Sequence, residues 1–153
     1  MIALSAIVPM LCVTAAGIAA MVAEAFRSPG EKMPIAPLGV IGLVGAGLGA
    51  ALLWDHGAAS FGVVVADNFG LFVTGILVIV GLLSLALSAP TIERENLPRG
   101  EYYALMLFAI AGMMLMATAA DLLVIFLALE VLSIAVYVLT GIRRDSEIGR
   151  AHV

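Results

Sequence analysis

The chain has 153 residues, of which 63% are hydrophobic and only 12% charged, with a formal net charge of −4. A soluble domain carries about 25% charged residues, so the composition excludes a water-soluble enzyme, gives no basis for a nucleic-acid partner and places the chain in a lipid bilayer. The single cysteine, Cys12, lies inside an apolar run; no intrachain disulfide can form, and the thiol reads as a small packed hydrophobe.

The first apolar run covers residues 2–23. It ends on Ala23-Glu24-Ala25, the small-x-small form of a signal-peptide cleavage site. No Lys or Arg precedes it, however, and a signal peptide starts with a positive region. The run therefore reads as a membrane span, in which Pro9 is tolerated because neighbouring helices can satisfy the carbonyl it frees. A polar break follows with Arg27, Glu31 and Lys32.

Pro34 and Pro37 then open a second span over 36–54, proline being acceptable in a first helical turn. Its glycines, in GLVGAGLGA, superficially suggest a nucleotide fingerprint. That motif needs a preceding strand and a following acidic residue. Inside a membrane-length run, small residues such as Gly45-x-x-x-Gly49 instead let helices approach closely. Trp54 fits an interfacial anchor.

Residues 55–68 form a second break. Its apolar centre, Phe61 to Ala66, is too short to span and rich in β-branched residues, which predicts a short strand at the membrane surface. Asp55 and His56 are too few to hold a metal. The third span covers 69–89 and is expected to end at Pro90, before the polar loop TIERENLPRGE.

From Tyr102 to Thr140 the chain is almost continuously apolar for 39 residues. One helix of that length would run roughly 58 Å, nearly twice the hydrocarbon thickness. It must turn, and Thr118 to Asp121 is its only polar punctuation. Spans at 102–119 and 121–140 follow, with Asp121 as N-cap of the last. Met106, Met113, Met114 and Met116 read as adaptable packing residues.

The predicted fold is thus all-α: a polytopic transmembrane helix bundle of five spans. The seven basic residues test it. Arg27 and Lys32 fall between spans one and two, Arg94 and Arg99 between three and four, and Arg143, Arg144 and Arg150 after five. The opposite loops hold Asp55, Asp67 and Asp121 and no Lys or Arg. The positive-inside rule then gives an outside N-terminus and a cytoplasmic C-terminus.

The last span, DLLVIFLALEVLSIAVYVLT, carries Glu130 at its middle. A charge at that depth costs at least about 2.5–3.5 kcal/mol on insertion scales, so such residues usually face a partner or water. Residues three, four and seven away share a helix face, which puts Ser133 and Tyr137 on one stripe with the carboxylate. Two readings stand: a polar contact between helices, or a carboxylate that transfers protons, with Ser133 and Tyr137 supporting it.

The stretch EYYALMLFAIAGMMLMATAADLLVIFLALEVLSIAVYVLTGIRR resembles the antiporter-like subunit N of bacterial NADH–quinone oxidoreductase, respiratory complex I. The features are an acidic loop entering Tyr102-Tyr103, Gly112-Met113-Met114, an Asp121-Leu122 turn, and Leu129-Glu130 followed by Ser133 and Tyr137. A weaker likeness extends back through Asp67-Asn68-Phe69. Sibling subunits L and M also carry a glutamate at this place, but in different surroundings, such as a Trp before it. Ala128 stands where the family often has Gly, and Val131 where Leu is common.

The resemblance implies the N-terminal part of a membrane subunit of a proton-pumping enzyme in the bacterial inner membrane. Its partners would be the other membrane subunits of complex I. NADH and quinone would be substrates of the whole complex, with no cofactor, metal or redox centre on this chain. Glu130 would match the glutamate that pairs with a lysine on a later span. The only lysine here, Lys32, lies in a loop, so the chain alone is expected to be inactive. The alternative readings are a related cation/proton antiporter or membrane-bound hydrogenase subunit, or a purely structural membrane piece. Residues 147–153, EIGRAHV, look like a translated sequencing adapter and are expected to be non-native.

Overall fold

Backbone groups in lipid have no water to bond to, so membrane-length apolar runs satisfy them as helices. The computed structural model describes residues 2–26, 35–56, 58–95 and 97–142; the basic loop after the first span and the tail from 143 onward lie outside these. In chain order the elements are α1 (Ile2–Ser5), α2 (Val8–Ala25), α3 (Ala36–Leu53), β1 (Ala59–Phe61), β2 (Val64–Ala66), α4 (Asn68–Arg94), α5 (Arg99–Thr118) and α6 (Leu122–Thr140). Five of these helices, α2 to α6, are long and apolar enough to cross a membrane. The all-α polytopic fold is therefore as read from the sequence.

Three boundaries differ from expectation. The first span is broken: α2 starts anew at Val8, with Pro9 in its opening turn, where its missing N–H has no intrahelical partner to lose. Pro90 does not stop the third span, because α4 runs through it to Arg94. Pro90 is exposed there, and the carbonyl that its missing N–H leaves without a helical partner is that of Ala86, itself an exposed residue. The fourth span begins earlier, at Arg99, after Pro98. Residues 61–66, expected as one short strand, instead contain a turn: β1 and β2 form an antiparallel hairpin pairing Ala59 with Ala66 and Phe61 with Val64. Its two-residue turn starts at Gly62, φ +59°, a position where such turns take glycine.

The centre of the bundle is α5, which packs on α2, α4 and α6. Val13, Leu43, Leu107 and Met114 fill the core. Small residues set the helix spacing, since lipid tails give apolar side chains no reason to leave them and close packing must drive association. At Gly42 a side-chain carbon would collide with Ala16 of α2 and stand 3.1 Å from the Cys12 carbonyl; Gly45 and Gly49 face the same helix. Large apolar residues such as Ile41, Leu52 and Leu87 point outward from the bundle.

Among the described residues, the arginines are confined to one of the two ends. At one, Glu24 at the end of α2 accepts from the Gly100 amide at the start of α5, at 2.9 Å, and Arg99 meets Glu93 of α4 at 3.1 Å. At the other, Asn68 donates to Asp55 at 3.1 Å, and the Ala120 amide donates to the Val63 carbonyl of the hairpin at 2.8 Å. Among the described residues, Arg94 and Arg99 lie at the first end, and the second holds Asp55, Asp67 and Asp121 with no Lys or Arg.

Candidate functional site around Glu130

The last helix owes its start to two local bonds. Asp121, in extended conformation, accepts from the Leu123 amide at 2.8 Å, satisfying one of the donors a helix N-terminus leaves open. Just before it, Ala119 bridges to Val64 and the Ala120 amide donates to the Val63 carbonyl, so the turn into α6 is pinned to the hairpin. Beyond that turn α6 rests on α5. Its contact face is narrow: Ala128 is 0% and Ala135 3% exposed, with Leu132 partly covered between them.

Glu130 is eight residues beyond Leu122 and ten before Thr140, roughly 12 Å and 15 Å along the axis. Two positions at about 100° each carry it about 200° round from Ala128, so its side chain leaves the bundle on the side opposite α5. It is exposed, and so are Leu123, Phe126, Leu127, Ile134 and Tyr137 on the same stripe. Tyr137 is 72% exposed and Ser133 partly covered.

The three candidate residues therefore share one face of one continuous helix, as their spacing requires. Among the described residues no hydrogen bond or ion pair joins Glu130 to Ser133, Tyr137 or any other group. What the face offers is one carboxylate at mid-span, bracketed by apolar side chains, with two hydroxyl-bearing residues one and two turns later. That set can take up and release a proton if a second group is brought opposite; it cannot hold a metal by itself. Among the described residues no three His, Cys, Asp or Glu side chains gather as a metal site.

Some positioning residues were not found from the sequence. Asp67 caps α4, accepting from the Gly70 amide at 2.7 Å; an Asp before a long apolar run is a start signal that could have identified it. Glu24 meets Gly100 across 76 positions, and no local pattern announces such a pair. Gly112 of α5 lies directly against the α6 backbone at Ala128 and Leu132, on either side of Glu130 in sequence.

No protein-family model matches the chain. Among curated proteins it is 40% identical over 144 residues to NADH-quinone oxidoreductase subunit N of Trichlorobacter lovleyi, covering 94% of this chain and 30% of that protein. It is 38% identical over 135 residues to subunit N of Chloroflexus aggregans, covering 87% and 28% respectively. With subunit N of Paramagnetospirillum magneticum the identity is 33% over 141 residues, covering 92% and 29%. The chain thus spans about three tenths of the length of these relatives.

Proposed function

The chain belongs to the subunit N family of NADH-quinone oxidoreductases, and on that premise we propose that its spans carry part of a proton path in which Glu130 takes up and releases the proton. The observation that supports this is the placement of Glu130: halfway along α6, pointing away from α5, on a face with nothing across from it among the described residues. A carboxylate held at that depth is costly unless a partner or water meets it. The relatives are about three times as long as this chain, and in such a subunit the opposing groups come from the remaining spans. A lysine on a later span is the partner that the family resemblance names.

In this reading the chain is the N-terminal five-span part of the subunit, its N-terminus outside and its C-terminus in the cytoplasm of a bacterial cell. The assembled enzyme passes electrons from NADH to a quinone and moves protons across the inner membrane. Other membrane subunits of complex I are its partners. Ser133 and Tyr137 assist by offering hydroxyls along the same stripe. Proton transfer needs the acid to alternate between charged and neutral forms, and a partner cation that approaches and withdraws would drive the alternation.

The test is substitution of Glu130 in the full-length subunit within the assembled complex. Glu130→Gln preserves shape but cannot titrate, and we expect coupled quinone reduction to fall several-fold with assembly intact. Glu130→Asp, shorter by one methylene, should be milder. Equal rates for Glu130→Gln and the unaltered enzyme would reduce Glu130 to a packing contact.

A further inference from the structure

We propose that Gly112 is a positioning residue for this site: it sets how far Glu130 reaches out of the bundle. The inference rests on the proton-handling reading of Glu130. A carbon added at Gly112 would stand 3.1 Å from the Ala128 carbonyl oxygen, 3.1 Å from the Leu132 amide nitrogen and 3.4 Å from the Leu132 Cα. All three atoms are backbone of α6. At Gly17 and Gly81 the neighbours are side-chain ends that can rotate away, Phe108 in the first case and Ile110 and Leu43 in the second; the backbone atoms that crowd Gly42 and Gly100 belong to α2, so among these glycines only Gly112 meets α6. Helix backbone cannot step aside locally, so α6 would have to move as a body by a few tenths of an ångström.

The direction of that movement gives Gly112 its role. Ala128 and Leu132 bracket Glu130 in sequence and lie on the face touching α5, while Glu130 projects about 200° away from Ala128. A push at Gly112 therefore drives α6 along the line on which the carboxylate points. The absence of a side chain at 112 holds Glu130 back to its present reach; any side chain there would extend it.

The prediction has a sign that a loss of packing lacks. In the full-length subunit within the assembled complex, Gly112→Ala should lower NADH-driven proton pumping by about threefold or more, misplacement by fractions of an ångström being enough to slow a positioned reaction. In a Glu130→Asp background, whose side chain falls short, the same Gly112→Ala should raise pumping above Glu130→Asp alone. Gly81→Ala, crowded against Ile110 and Leu43 but not against α6, should give no such rescue. If Gly112→Ala leaves pumping intact, or lowers it equally in both backgrounds, or if Gly81→Ala rescues as well, the proposal is overturned. Full pumping by Glu130→Gln would instead remove the reading on which it rests.

Discussion

At the scale of single residues, the chain is held by polar contacts that each serve one helix end. Asp121 and Asp67 cap α6 and α4, and both follow from a rule that acts over three residues. Replacing Asp121 by Ala should cost about 1 kcal/mol, and Asp121→Asn much less, because Asn retains the accepting oxygen. Thermal unfolding of the two variants in detergent gives the comparison; equal losses would show that the cap contributes nothing. Legibility at this scale follows sequence distance. The Asp121 cap could be read from the chain because both partners lie within one turn. The Glu24 bond to Gly100 could not, since its partners meet only after the two intervening helices, α3 and α4, have folded.

At the scale of elements, apolar length was enough to find the spans, while their ends depended on proline chemistry that composition does not resolve. Pro90 lies inside a continuing α4 at an exposed position, and a rule treating proline as a stop misplaces that boundary. The hairpin shows the opposite case: its β-branched core was visible, but not its hold on the turn into α6. Gly62 at φ +59° makes this testable. Gly62→Val puts a β-branched residue where L side chains are strained, costing about 1–3 kcal/mol. Amide exchange at Ala120, which donates to Val63, should then quicken, and unchanged exchange would mean that the hairpin does not pin α6. Close packing has its own test at Gly42. Gly42→Leu must collide with Ala16 and should lose about 1–3 kcal/mol. Gly75→Ala, with open space around it, should stay within about 0.5 kcal/mol. Similar losses in reversible unfolding would contradict the small-residue account of the α2–α3 contact.

At the scale of the whole molecule, the spans alternate so that the described arginines share one end and three aspartates mark the other. With the positive-inside rule, cysteines introduced by Ser60→Cys and Ser28→Cys in a Cys12→Ala background should label from opposite faces of the membrane. Labelling of both from one face would break the five-span topology. The site was legible only in part: Glu130 announced itself as a charge in an apolar run, and helical spacing placed Ser133 and Tyr137 beside it. What stands across from it could not be read, because the sequence holds about three tenths of the length of its relatives. The central claim is that the Glu130 carboxylate moves protons, and its most direct measurement is the number of protons translocated per NADH oxidised. In proteoliposomes containing the intact complex, Glu130→Gln should lower that ratio or the coupled rate with normal subunit content; an unchanged ratio at an unchanged rate would contradict the account.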